Sequence, residues 1–178
     1  MSTLFVDTIN EKTTNNGVYI PGHVVQAKTA IKTDTQSTSS SSFADITGLS
    51  VSITPSSTNS KILVLCTVCI SSTFYWCPVR VLRDSTQINA PDAGGSNQAL
   101  VNGCQTTQTA STYMLMTVPI TVLDSPSSTS ALTYKAQFAV LYSSGQTAWI
   151  NRTSRDNNSA GGYDPRGSSS ITVMEVGS

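Results

Sequence analysis

The sequence has one histidine and little charge: 11% of its residues are charged, and ten basic side chains balance ten acidic ones. A catalytic histidine needs one partner to orient it and another group to activate. The single histidine, His23, lies between glycine and valine with no acidic neighbour. We therefore interpret it as a turn residue at the start of a strand. Because phosphate binding depends on clustered basic residues and no basic run is present, we expect no nucleic acid partner.

No apolar run approaches the roughly 20 residues that a membrane-spanning helix requires. The opening MSTLFVDTINEK also lacks the cationic leader and apolar core of a secretory signal. We therefore expect no membrane insertion and no passage through a translocon, unless lysis releases the protein. Because the cytoplasm keeps thiols reduced, the four cysteines are expected to be free.

Cys66 and Cys69 form a C-x-x-C pair, a spacing that on a turn would suit zinc or thiol exchange. The pair lies inside the apolar run KILVLCTVCI. An odd separation along a strand places two side chains on opposite faces. Cys77 and Cys104 do not supply a second pair, so we expect buried thiols, no metal and no cofactor.

The acidic residues give no clear sign of a hydrolase. Asp84, Asp92, Asp124 and Asp156 stand in turn-like contexts, where carboxylates accept local backbone hydrogen bonds. A glycosidase would need two of them paired across a cleft, which the sequence neither shows nor forbids. We therefore predict that the protein is not an enzyme, with a polysaccharide depolymerase as the alternative.

Hydroxyl residues, in contrast, are abundant: serine and threonine make up roughly 30% of the chain, well above ordinary usage. Their short side chains compete for backbone hydrogen bonds inside helices and suit strands and turns. No stretch shows apolar residues at helical spacing without breakers. The chain is therefore predicted to be all-β.

Apolar runs separated by turn signals predict about eight strands in an antiparallel β-sandwich or jelly roll. The run at 61–70 is apolar on both faces, which is typical of a central strand between two layers. Pro119 cannot donate to a ladder, so its strand is expected at an edge or a bulge. The serine-rich stretch 34–48 is predicted to be an exposed loop. Period-two alternation predicts these strand faces: Val25, Ala27, Thr29 and Ile31; Leu49, Val51 and Ile53; Val79 and Val81; Met114, Met116, Val118, Ile120 and Val122; Leu132, Tyr134, Ala136, Phe138, Val140 and Tyr142.

The stretch WINRTSRDNNSAGGYDPRG, residues 149–167, combines aromatic and charged residues in one loop. Loops on a rigid scaffold often carry recognition, and aromatic faces beside polar groups suit sugars or protein partners. The candidate recognition residues are Trp149, Arg152, Arg155, Tyr163 and Arg166. In the structural alternative, Trp149 packs into the core and the arginines pair with Asp156 and Asp164. A second aromatic cluster at 74–76 would mark an interface if it were exposed.

The opening MSTLFVDTI and GVYIPGHVVQ is followed by SITPSSTNSKILVLCTV, VRVLRDSTQI, LDSPSSTSALTYKAQF, INRTSRDN and SSITVMEV. In this order the segments resemble fibre-type or virion-decorating structural proteins of tailed bacteriophages, especially phages of marine bacteria. The resemblance runs over nearly the whole chain, and the order of the segments is its most specific feature. It carries no catalytic motif.

The resemblance implies a β-sandwich domain, commonly trimeric, attached to the virion by its N-terminal segment and in some fibres touching host surface glycans. We therefore expect a short fibre or fibre-like appendage, assembled in the host cytoplasm and located in the virion. The alternatives are a capsid decoration (cement) protein that stabilises the shell, and a glycan-binding, lectin-like module. A homotrimer is expected, with an interface built from apolar faces such as Met114, Met116 and Val118.

The chain is accordingly divided into an N-terminal attachment arm, residues 1–22, and a β-sandwich domain, residues 23–178. The arm has too few apolar residues to fold alone. It would gain stability by adding a strand to another virion protein or by filling a groove there. The residues expected to make these contacts are Leu4, Phe5, Val6 and Ile9, and Pro21 and Gly22 would turn the chain into the body.

Overall fold

The computed structural model describes residues 22–73, 76–92, 95, 100–106, 112–141, 145–158 and 160–177, with backbone alone at 76, 105 and 106. Within these ranges the chain forms strands and no α-helix, so the all-β prediction is confirmed. The predicted arm lies outside the described residues except for Gly22, and so do positions 74 and 75 of the aromatic cluster. The strands are β1 (Val24–Lys32), β2 (Gln36–Thr38), β3 (Ala44–Ile53), β4 (Lys61–Ser72), β5 (Trp76–Arg83), β6 (Thr86–Gln87), β7 (Gly103–Thr106), β8 (Met116–Asp124), β9 (Leu132–Phe138), β10 (Ala148–Ile150) and β11 (Ser169–Val176).

The strands form two antiparallel sheets packed as a β-sandwich. In sheet A, β4 pairs with β8 on one side and with β11 and β10 on the other, and β1 and β2 lie outside β11 and β10. In sheet B, β9 lies between β3 and β5, and β6 and β7 pair with the other side of β5. The predicted β-sandwich is therefore confirmed.

The core lies between the two sheets and follows the predicted alternation. Every second residue of β4, from Ile62 to Ile70, is at most 1% exposed and faces sheet B. Tyr134 and Phe138 on β9 are fully buried opposite them. Since a strand sends successive side chains to opposite faces, burial of one face requires this period of two. The remaining core is supplied chiefly by Ile46, Leu49, Val51, Ile53, Val79, Val81, Val118, Ile120, Val122, Leu132, Ala136, Val140, Ile150, Ile171 and Val173.

Two predictions about strand faces are wrong. Strand β4 is central within sheet A, but it does not lie between two layers, since Leu65 on its second face is 37% exposed. In β1 the face of Val25 and Ile31 points away from the core, and Ile31 is 65% exposed. Lys32, on the opposite face, is buried instead and reaches Asp34 with its Nζ at 2.8 Å.

The serine-rich stretch 34–48 is not only a loop, because it contains β2 and the first half of β3. The pairing of β3 with β9 shifts between Asp45 and Ser50, and Gly48 lies in that irregularity with a φ of 81°. Only glycine adopts such a backbone without strain, which allows one strand to continue through the bulge. Pro119 lies on β8, an edge strand in the described part of sheet A, as predicted.

Candidate functional site

The candidate recognition loop connects β10 to β11 and is held in place by Asn151. This residue is fully buried with a φ of 62°. Its side-chain nitrogen Nδ2 donates to the backbone oxygens of Lys32 and Asp34 at 2.8 and 3.0 Å. Its side-chain oxygen Oδ1 accepts from Ser169 Oγ at 2.7 Å. Asn151 therefore joins both ends of the loop to the end of β1. This role comes from tertiary contacts, so sequence reasoning did not find it.

Two aspartates pair with the three arginines of the loop. The Asp156 carboxylate accepts from Arg152 Nη1 at 3.0 Å and from Arg166 Nε at 2.8 Å. Asp164 is paired with Arg155 and also accepts from Thr153 Oγ1 at 3.1 Å. The arginine pairing proposed as the structural alternative is therefore present.

Electrostatics keeps the Asp164–Arg155 pair charged. The hydrogen bond from Arg155 holds the pKa of Asp164 below its ordinary value, and the hydrogen bond from Thr153 acts in the same direction. The same carboxylate raises the pKa of Arg155. The Asp164 carboxylate therefore stays ionised at a lower pH than an ordinary aspartate.

Two aromatic rings lie on these arginines, Trp149 from β10 and Tyr113 from the segment before β8, and Tyr163 of the loop contacts Tyr113. The Arg152 guanidinium lies 5.3 Å from the centroid of the Trp149 ring, and the Arg155 guanidinium lies 4.4 Å from that of Tyr113. The rings of Tyr113 and Tyr163 meet edge to face, with centroids 6.4 Å apart. Trp149 is half-buried, between the buried Ala148 and Ile150, so it does not pack into the core as the structural alternative required.

All five candidate residues are thus linked in one cluster. Arg152 contacts Trp149 and shares Asp156 with Arg166, while Arg155 reaches Tyr163 through Tyr113. Thr153 joins the two groups, because its Oγ1 accepts from the Asp156 amide at 3.1 Å and donates to Asp164, the partner of Arg155, at 3.1 Å. Tyr113 was not among the predicted recognition residues, because it precedes β8 rather than belonging to the loop. An open cleft of about 390 Å³ lies within the cluster, lined by Asp156, Asn157, Asn158, Gly162, Asp164 and Arg166.

The histidine and the cysteines lie apart from this cleft. His23 immediately precedes β1, and its backbone oxygen accepts from the Gly177 amide at 3.0 Å. Cys66 is in the core and Cys69 is on the other face of β4, as the odd spacing predicted. Burial raises the pKa of the Cys66 thiol to about 12 and also raises that of Cys77. In the described ranges no group of three or more histidine, cysteine or acidic residues could hold a metal ion.

A second candidate surface is the side of sheet A that faces away from sheet B, hereafter the outer face. Registers place Leu123, Leu63, Met174 and Ala27 side by side across β8, β4, β11 and β1. Lys61, at the first position of β4, is the charged residue at the margin of this face, and the members given below are uncharged. Its members are Thr117, Pro119, Thr121, Leu123, Leu63, Leu65, Thr67, Cys69, Ser170, Thr172, Met174, Ala27, Thr29 and Ile31.

Only part of the apolar surface that the sequence predicts for an interface is exposed. Val118 is 5% exposed and belongs to the core of its own sandwich, so it is not a spare apolar residue. Met114 and Met116 are partly exposed at the start of β8. The exposed residues of β8 occupy the alternate positions, which point away from the core. Leu123 is one of them and is 51% exposed.

Comparison with known proteins gives no relative: no family model matches the chain, and no curated protein matches it either. In the described part of the chain, no helix is long and apolar enough to cross a membrane. Functional inference therefore depends on the two surfaces and on the sequence resemblance.

Proposed function

We propose that this chain is a non-enzymatic structural protein of a tailed-bacteriophage particle, of the fibre or decoration type. Its sandwich associates with copies of itself through the outer face, and a homotrimer is the proposed state. The observation that supports self-association most is an uncharged, partly apolar surface spanning four strands. The assignment to a phage particle rests on the sequence resemblance.

The outer face has the area to form the centre of a subunit contact. Four strands about 4.8 Å apart, with about eight residues at about 3.3 Å each, cover about 500 Å². Eight of the fourteen members of the face are apolar, and the other six are threonine or serine. A standard interface takes about 800 Å² from each partner, so loops at the rim would supply the rest.

The chemistry of the outer face suits contact between copies of this chain around a threefold axis, where one half of the face meets the other half on the next copy. A charged face would need a partner of opposite sign, whereas this face imposes no such requirement. Its threonine and serine hydroxyls both donate and accept, so the two halves can satisfy one another across the contact. Within one chain Thr29 and Thr172 already share a hydrogen bond of 2.9 Å between their Oγ1 atoms. The leucines and Met174 would supply the apolar area that drives association.

The proposed arm, residues 1–22, attaches the subunit to other virion proteins, which places the protein in the virion. Its last residue, Gly22, donates its backbone N–H to the Gly177 oxygen at 2.8 Å, beside the start of β1. Among the described residues, β1 is an outer strand of sheet A, so the described chain enters the sandwich at an edge of that sheet.

Light scattering coupled to size-exclusion chromatography tests self-association. The whole chain at micromolar concentration should elute as an oligomer, with three copies as the expected number. Leu65→Asp places a charge in the middle of the outer face and should give a folded monomer. Ser50→Asp adds the same charge to an exposed position of β3 in sheet B and should leave the oligomer intact. A monomeric parent protein, or equal effects of both substitutions, would contradict the proposal.

A further inference from the structure

We propose that the cleft of the β10–β11 loop binds an acidic saccharide, with a sugar ring against Tyr163 and its carboxylate or sulfate group on Arg166. This binding site is separate from the self-association proposed above, which uses the outer face. Three features support it: an exposed aromatic ring held in place, a cleft of suitable size and polarity, and an excess of positive charge.

Tyr163 offers an aromatic surface that is exposed but fixed. It is 63% exposed and meets Tyr113 edge to face. Its ring lies so close to Gly161 that a Cβ added there would be 2.1 Å from the ring carbon Cε2. Only glycine at 161 permits this ring position. A ring that is already ordered loses little conformational entropy when a sugar packs against it.

The cleft is lined by Gly162 and Asp164, the two sequence neighbours of Tyr163, and it has the size and the polar groups for a sugar. Its volume of about 390 Å³ lies within the range of about 300–1,000 Å³ that is usual for small-molecule sites. Asn157 and Asn158 line it, and each amide supplies both donors and an acceptor. Sugar hydroxyls likewise donate and accept, so these side chains match their chemistry. Asp156 and Asp164 are held by arginines, which gives the cleft a fixed shape.

The charges of the cluster favour an anionic ligand over a neutral one. Three guanidinium groups, of Arg152, Arg155 and Arg166, are paired with the two carboxylates described above. The side chains of Arg152 and Arg155 are about one quarter exposed, whereas that of Arg166 is 59% exposed. Arg166 uses Nε and Nη2 for Asp156. No described residue accepts a hydrogen bond from its Nη1, so this donor can serve a ligand anion.

Isothermal titration calorimetry on the full chain tests the site with two acidic probes, oligogalacturonate and a sulfated galacto-oligosaccharide. Methyl-esterified oligogalacturonate, which has the same sugar backbone without the carboxylate charge, serves as the neutral control probe. We expect saturable binding of at least one acidic probe and at least tenfold weaker binding of the neutral one. Arg166→Gln and Tyr163→Ala should each weaken acidic binding at least tenfold, and Tyr163→Phe should retain it.

Lys28→Gln is the control for charge, because it removes one exposed positive charge from β1, away from the loop. It should leave the affinity unchanged, and circular dichroism checks that every variant is folded. The proposal is overturned if neither acidic probe saturates, if the neutral probe binds as tightly, or if Arg166→Gln matches Lys28→Gln. Since the titration requires no particle and no change of oligomeric state, its failure leaves the structural proposal standing.

Discussion

Tyr134 on β9 donates its hydroxyl to the Asp124 carboxylate on β8 at 2.6 Å and so joins sheet B to sheet A through the core. Arg83 on β5 binds both oxygens of the same carboxylate through Nη1, at 2.8 and 2.6 Å. Burial raises the pKa of Tyr134, and the hydrogen bond to Asp124 acts in the same direction, so the phenol stays protonated. The three side chains connect three strands from the two sheets.

Replacing Asp124 should therefore destabilise the sandwich. Asp124→Asn removes the charge that holds Arg83 and Tyr134, and we expect a loss of about 2 kcal/mol in the free energy of unfolding. Tyr134→Phe removes one hydrogen bond and should cost about 1 kcal/mol. Urea unfolding at one fixed protein concentration measures both. Asp92→Asn, at an exposed loop position, should be neutral, and an equally neutral Asp124→Asn would contradict the role of this group.

Glu175 makes the stability of the body depend on pH. Its buried carboxylate accepts from the Ser56 amide at 2.7 Å and from Gln26 Nε2 at 2.6 Å. Burial acts to raise its pKa, but the hydrogen bonds from Ser56, Gln26 and Ser60 outweigh it and hold the pKa below the ordinary 4.5. A lowered pKa in the folded state stabilises the protein above pH 4.5, and that stability is lost as the pH falls through the folded value.

The expected result is a melting temperature that is steady near neutral pH and falls as the pH drops below 4.5. Glu175→Gln should lower the melting temperature at pH 7 and should show a smaller further fall in acid, because its side chain does not titrate. Differential scanning fluorimetry from pH 7 to pH 3 measures both curves. Parallel curves for the two proteins would show that another group causes the acid loss.

Gly103 is a position where β7 approaches the core too closely for a side chain. A Cβ there would lie 2.5 Å from Val118 Cγ1 and 3.4 Å from Ile120 Cγ1. Gly103→Ala should therefore lower the free energy of unfolding by about 1–3 kcal/mol, the usual range for overpacking. Gly95→Ala is the matched control, since no residue in the described ranges lies within 4 Å of its added carbon. Equal unfolding curves for the two variants would contradict this tight contact.

The sequence predicts the core strands well because burial of one face imposes a period of two. The faces of Leu49 to Ile53 and of Leu132 to Val140 are buried as predicted. The short strands β2, β6 and β7 were not predicted, since two to four residues are too few to show alternation. In β1 the buried face carries Lys32, whose ammonium reaches Asp34 while its carbon chain is covered, so hydropathy indicates the wrong side.

The recognition loop shows a similar limit. The sequence located its arginines, its aspartates and Tyr163 because they stand close together within residues 149–167, a stretch that holds three of the five arginines of the chain. It did not indicate Tyr113, which lies 36 residues before Trp149 in sequence and joins the cluster only through Arg155 and Tyr163. The outer face was missed for a different reason. Its leucines, threonines and serines come together only through the registers between strands. The hydropathy of a single strand carries no information about those registers.

Removing the arm separates attachment from folding. A chain lacking residues 2–20 retains Gly22, whose backbone bond to Gly177 closes the start of β1. We expect it to unfold within a few degrees of the full chain, because the described core strands all begin after this point.

In phage particles produced with the truncated gene, quantitative mass spectrometry should find the protein strongly depleted. Because Leu4, Phe5, Val6 and Ile9 are the side chains expected to bind the particle, replacing these four with serine should deplete it equally. Normal incorporation of either variant would show that the body alone attaches to the particle.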